Sequence, residues 1–278
     1  MEQPFTTHKD DLPAEFGHTS PTRNLAWWRE LAIVAVVYVF YETIRNITQS
    51  TPKRAYANAV RLINLEKNLG IFQEQAMQDW AVQFAPLIIV SNYFYGAAYI
   101  VVTVAGLVYL FRRFPDDYRF WRNALLALTL LALVGFALFP LMPPRLLDVR
   151  GDGRVWGFVD TLVKYPTFWS FQSSAMEKVS NQFAAMPSLH CAWSIWAMTV
   201  FYPRVRTRWA RFLSVGYAVF TTYVIIITGN HYFLDAVGGL VVFLLGVGIA
   251  RVGEQLRARS RAEGRTRQVQ PAVELEQA

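Results

Sequence analysis

The chain has 278 residues, 54% of them hydrophobic and 17% charged, with a mean hydropathy of +0.23 and a formal net charge of +7. That balance is too apolar for an ordinary soluble enzyme. The positive charge gathers in two turns and in the C-terminal stretch and calls for no nucleic acid, while a single cysteine, Cys191, excludes an internal disulfide and a cysteine-based zinc cluster.

Residues 1–24 are polar, carry Pro and acidic residues and lack the basic-then-apolar layout of a signal peptide, so an uncleaved polar N-terminal segment is expected. The stretch from Trp27 to Thr48 is the weakest candidate membrane crossing, because Arg29, Glu30, Glu42 and Arg45 interrupt it. Glu42 and Arg45 stand one helical turn apart and are expected to pair. Further on, Val60, Leu62, Ile63 and Leu65, then Ile71, Phe72, Ala76, Met77, Trp80 and Phe84, recur at near-helical spacing. They predict two short interfacial helices within residues 55–83, broken at Gly70, that lie on the outer leaflet or pack on the top of a bundle.

Residues 84–111, 124–144, 183–203, 212–230 and 232–250 form apolar runs with one acidic residue among them, Asp235. A spanning helix needs about 20 apolar residues, so each is long enough or nearly so. The expected fold class is all-α, a polytopic membrane protein whose six-transmembrane-helix bundle occupies residues 25–252. The tail at 253–278, part of an arginine-rich stretch that begins at Arg251, is expected to be basic and disordered, solvated or resting on anionic lipid.

Loop charge sets the expected orientation, since Lys and Arg near the membrane mark the cytoplasmic side. The turns RRFPDDYRFWR and RVRTRWAR, at residues 112–122 and 204–211, each contain four arginines, whereas the TGNH hairpin has neither Lys nor Arg. With six crossings, both termini and the basic tail face the cytoplasm and the hairpin faces outward, in the plasma membrane.

This topology gathers polar residues from distant parts of the chain on the outer side: Arg145 after Pro143-Pro144, Ser188 and His190 at the start of the fourth apolar run, and His231 with Asp235 at the start of the sixth. A carboxylate within an apolar run is costly and points to a function and a partner. Asp235 lies four residues after His231, on one helical face, where it can hold the imidazole in one tautomer. Phosphoester chemistry requires donors for the phosphate oxygens, a nucleophile and an acid for the leaving oxygen. Pro187 suits the first turn of a helix, which would leave the N–H groups around Ser188 and Leu189 facing an anion, with Arg145 adding a permanent charge. The two histidines remain for nucleophile and acid.

The pieces PPRLL, AAMPSLH and GNHYFLD, beginning at Pro143, Ala184 and Gly229, resemble the three signature regions of the type 2 phosphatidic acid phosphatase superfamily, and more closely its branch that includes inositol phosphorylceramide synthase. The likeness covers roughly residues 55–250. It implies a metal-independent enzyme without cofactor, in which His231 becomes a phosphohistidine, Asp235 orients it, His190 protonates the leaving group, and Ser188 and Arg145 bind phosphate. The superfamily's lysine ahead of the first arginine is absent, the second motif reads Ser-Leu-His instead of Ser-Gly-His, and Val224 and Ile225 replace a Ser-Arg pair in the third. These departures resemble the transferase branch.

The function expected is an integral membrane phosphotransferase that moves a phosphate-containing group from a lipid-type phosphoester to an alcohol acceptor, its partners being a membrane lipid and its phosphorylated head group. A lipid phosphate phosphatase uses the same machinery with water as acceptor, and a non-catalytic lipid-binding or transport protein is the alternative of another class. The orientation is testable: a cysteine placed at Gly153 should react with an impermeant reagent on intact cells, and one at Asp117 should be protected. The reverse pattern overturns an outward-facing site.

Overall fold

A computed structural model describes residues 51–167 and 182–276, together with residues 28–30, 32, 33, 35, 36, 39 and 43 of the first apolar segment. The described residues are almost entirely helical and contain no strand, with one isolated bridge between Leu141 and Ala184.

Two helices, α1 (Pro52–Asn68) and α2 (Glu74–Ala81), occupy the region where amphipathic spacing predicts interfacial helices. Thr51 caps α1, its side chain accepting from the Arg54 N–H, and Pro52 at the first position fits a site whose N–H has no helical partner. Gly70 stands between them at φ +71°, the left-handed region that favours glycine. Leu62 and Ile63 are buried, whereas Leu65, Trp80 and Phe84 remain exposed.

Among the described residues, four helices are long and apolar enough to cross a membrane: α3 (Ala85–Arg113), α4 (Pro115–Leu138), α6 (Arg208–Ile227) and the first part, Phe233–Arg261, of α7 (Phe233–Glu276). A shorter apolar helix, α5 (Leu189–Phe201), lies between α4 and α6 in sequence. Its 13 residues extend about 20 Å, less than the roughly 30 Å hydrocarbon layer. The fourth apolar run is therefore helical over only part of 183–203. Ahead of α5 the chain runs outside any helix alongside residue 141, with the Leu141 N–H donating to the Phe183 carbonyl at 2.8 Å.

α4 starts at Pro115 with Asp116 and Asp117 in its first turn, earlier than the apolar run at 124–144, and ends at Leu138 before the proline-rich segment. The acidic first turn complements the helix dipole. At this end Arg204 pairs with Asp117 at 2.5 Å. Arg122 of α4 takes Glu30 with contacts of 2.6 and 2.8 Å, and Tyr118 donates to the same carboxylate at 3.0 Å, so a charge that interrupts the first segment is neutralised. The expected Glu42–Arg45 pair lies outside the described residues. α7 continues as helix to Glu276, through the stretch where a disordered tail is expected.

Trp196 of α5 is fully buried, with its Nε1 donating to the Trp121 carbonyl at 2.9 Å, and it packs with Leu110, Leu128 and Val200. α7 packs on both α4 and α5. Between helices in lipid the gain comes from close van der Waals packing, which small residues permit. Gly239 lies tightly against the start of α5: a Cβ there would stand 2.6 Å from the Ser188 carbonyl oxygen and 2.9 Å from the Cys191 Cβ. Gly239→Val should lower the unfolding midpoint in detergent, at a cost of about 1–3 kcal/mol for overpacking, and shift Ser188 with it. A variant as stable as the parent would show that α5 and α7 separate freely.

Candidate functional site

The site is built at the start of α7. α6 ends at Ile227, and the chain reverses through Thr228, Gly229 and Asn230, with Gly229 at φ +70°. A side chain at Gly229 would meet Gln78 Nε2 at 2.6 Å and the Arg145 Cβ at 3.2 Å, so the turn is held against α2 and the Pro143-Pro144-Arg145 segment. The Arg145 N–H donates to the Gly229 carbonyl at 2.8 Å, and the Thr161 hydroxyl to the Thr228 carbonyl, also at 2.8 Å.

His231 follows this turn, 3% exposed. Its Nδ1 lies 3.2 Å from Asp235 Oδ2, and the same oxygen accepts the Tyr232 N–H at 2.9 Å. The i,i+4 spacing that joins this pair in the sequence is thus realised. Asp235 is fully buried, and its own carbonyl accepts the Ser188 N–H at 2.9 Å, which ties the start of α5 to α7.

His190 is brought to the same place from α5. Its ring centroid lies 5.6 Å from that of His231, and it stacks on Tyr95 at 4.2 Å with an interplanar angle of 17°. Tyr99 covers it at 4.3 Å, and the His190 Nε2 is buried without a hydrogen-bond partner among the described residues. Tyr95 is a wall of the site, and Trp121 packs inside the bundle. Cys191 is buried as a small apolar side chain, its Sγ 3.5 Å from the Thr222 hydroxyl.

Two details differ from the sequence-based expectation. Pro187 precedes the helix rather than opening it, because Ser188 is the N-cap and its Oγ accepts the Cys191 N–H at 3.4 Å. The Ser188 N–H is bound to the Asp235 carbonyl and so does not face an anion.

Arg145 is buried beside the turn. Nε donates to Asn230 Oδ1 at 2.9 Å, and Nη1 pairs with Asp160 Oδ2 at 3.0 Å. Asn230 in turn donates to the Thr228 hydroxyl at 2.9 Å. The guanidinium is therefore fixed one residue from His231, with one carboxylate beside it.

The five residues singled out in the sequence, His231, Asp235, His190, Ser188 and Arg145, lie together here. Asn230 and Asp160, which hold Arg145, and Tyr95 and Tyr99, which hold His190, were not among them. Nor were Glu66 and Glu74, both fully buried. Glu66 Oε1 accepts the Leu234 N–H at 2.8 Å, and Glu74 Oε1 accepts the Phe233 N–H at 2.9 Å. A signal for Glu66 was present: it follows Leu62 by four and Ile63 by three, on the buried stripe of α1.

A family model described as the PAP2 superfamily matches residues 60–249. The chain belongs to the PAP2 superfamily. No curated protein and no solved structure matches it. The matched region contains both histidines, Asp235, Ser188 and Arg145, and excludes the first segment and the end of α7. PAP2 membership supports an enzyme, a phosphatase or phosphotransferase, acting on phosphoesters. Asn230→Ala tests the support of Arg145: it leaves the buried Nε without an acceptor and should cost about 1–3 kcal/mol of stability, read as the unfolding midpoint in detergent. An unchanged midpoint would mean that Asn230 does not hold the guanidinium.

Proposed function

We propose that this PAP2 protein is an integral membrane phosphotransferase that carries a phosphate-containing group from a lipid phosphoester, through a phosphohistidine on His231, to an alcohol acceptor. The observation that supports it most is the meeting of His190 and His231 with ring centroids 5.6 Å apart, one of them held by a buried carboxylate. Both imidazoles reach one phosphoryl group at that separation. The proposed topology has six crossings, the first segment and α5 included, with the site on the extracytoplasmic side of the plasma membrane and both termini inside. The Arg-rich turns at the end opposite the site support it.

In the first half-reaction Asp235 accepts the Nδ1–H of His231, so Nε2 carries the lone pair that attacks phosphorus. The P–N bond forms as the bond from phosphorus to the lipid oxygen breaks, and His190 gives its proton to that oxygen. Asp235 supports the positive charge that develops on the imidazole. Arg145, with the Ser188 hydroxyl as a further donor, meets the charge on the non-bridging oxygens. In the second half-reaction the acceptor hydroxyl gives its proton back to His190, its oxygen bonds to phosphorus, and the P–N bond breaks. Water in place of the alcohol makes the same site a phosphatase. The motif departures resembling the inositol phosphorylceramide synthase branch favour transfer. Retention of labelled phosphate in an organic-soluble product, rather than its release as free phosphate, distinguishes the two.

His231→Ala should abolish turnover and the acid-labile phosphohistidine together, and Asp235→Asn should impair both. His190→Ala should lose about 10²- to 10⁴-fold with a lipid alkoxide leaving group but far less with an activated aryl phosphate, which needs little protonation. Equal losses on the two substrates would remove His190 from the acid role. Activity in excess chelator and inhibition by vanadate are expected, because Arg145 and protein donors carry the phosphate charge. Loss to chelator with rescue by magnesium would overturn the mechanism.

A further inference from the structure

Three successive backbone N–H groups at the beginning of α7, those of Tyr232, Phe233 and Leu234, are taken by three carboxylates from three parts of the chain. Asp235 accepts the first at 2.9 Å, Glu74 of α2 the second at 2.9 Å, and Glu66 of α1 the third at 2.8 Å. The first-turn N–H groups of any helix lack a helical acceptor, and carboxylates there gain from the dipole. One interfacial acid would satisfy that need at a surface. Here two come from outside the helix, both fully buried, and the remaining oxygen of each, Oε2, meets no N–H or hydroxyl donor from another residue among the described residues.

Two carboxylates buried together do not both stay ionised, because the charged forms are desolvated and repel. We propose that Glu66 and Glu74 act as positioning residues that share one proton and together clamp the first turn of α7, fixing the orientation of His231 for attack on phosphorus. This rests on the phosphohistidine reading above. Glu66 is pushed up to about 9, by burial first and then by the hydrogen bond and charge of Glu74, while the Leu234 N–H opposes the rise. The other titratable group acting on Glu66 is Asp235, and Tyr232, whose hydroxyl donates to the Met142 carbonyl at 3.0 Å, faces both glutamates. A raised carboxyl binds its proton more tightly folded than unfolded. The clamp is therefore complete below the ordinary carboxylate range and weakens as pH rises from there through about 9. Above that, an ionised Glu66 lies among the acids under the helix that carries His231.

The experiment uses the full-length protein in detergent or nanodiscs, with Glu66→Leu, Glu66→Gln and Glu74→Leu. Hydrogen exchange over residues 231–235, compared between variants at one pH, reads the clamp without any assay of activity. It should accelerate in Glu66→Leu and Glu74→Leu and return towards the parent rate in Glu66→Gln, which keeps the acceptor and mimics the neutral acid. With an activated aryl phosphate as probe, the leucine variants should lose roughly ten- to hundredfold in kcat with little change in KM. Glu66→Gln should recover most of that loss and abolish the alkaline fall in kcat near pH 9. Unchanged exchange in both leucine variants, or a Glu66→Gln pH profile that overlays the parent, overturns the proposal. Should His231→Ala retain activity while exchange still responds to the glutamates, the catalytic reading fails and the positioning of the turn stands.

Discussion

The first turn of α7 presents backbone N–H groups inside a protein surrounded largely by lipid, where an unmet donor costs several kcal/mol. Asp235, Glu74 and Glu66 meet that need, and their positions fix much else. α1 and α2 must fold against the top of the bundle for Glu66 and Glu74 to arrive. Asp235 must turn back over its own helix start, which holds His231 beside it. The carbonyl of Asp235 then draws in the Ser188 N–H and the beginning of α5, so His190 is placed by the same helix end. A need that is purely structural in origin thereby sets the separation of the two imidazoles.

Charge at the site is divided between two neighbouring networks. Around the helix end, three carboxylates absorb the positive end of the dipole. On the other side of the turn, Arg145 carries the cation, with Asp160 at 3.0 Å and Asn230 at 2.9 Å holding its fork in one orientation. An entering phosphate would compete with Asp160 for the guanidinium, while the acids beneath α7 are occupied by backbone donors and do not face it. Tyr95 and Tyr99 enclose His190 in aromatic surface and hold its ring centroid 5.6 Å from that of His231.

Residues 183–188 run outside any helix along the proline-rich segment, so α5 starts at Leu189, packed among α3, α6 and α7, with Ser188 and His190 at its start. Gly239 allows this by admitting the Ser188 carbonyl where any side chain would block it.

Much of the arrangement was legible in the sequence because it depends on short-range rules. Apolar runs revealed long helices, Gly70 marked the break between two surface helices, and the spacing of His231 and Asp235 foretold their contact, since i and i+4 meet on any helix. The convergence of Arg145, Ser188 and His190 could be inferred from loop charge and motif likeness. The start of α5, the stacking of Tyr95 on His190, the Asp160–Arg145 pair and the glutamates under α7 were settled only by tertiary structure. Most depend on residues brought together across long stretches of chain, 159 residues apart for Glu74 and Phe233 and 168 for Glu66 and Leu234, and even Asp160 and Arg145 stand 15 apart, beyond any one helical turn. Local spacing shows which face of a helix a side chain occupies, whereas its partner is chosen by packing, and for a buried carboxylate the partner decides whether it holds a charge, a proton or a backbone N–H.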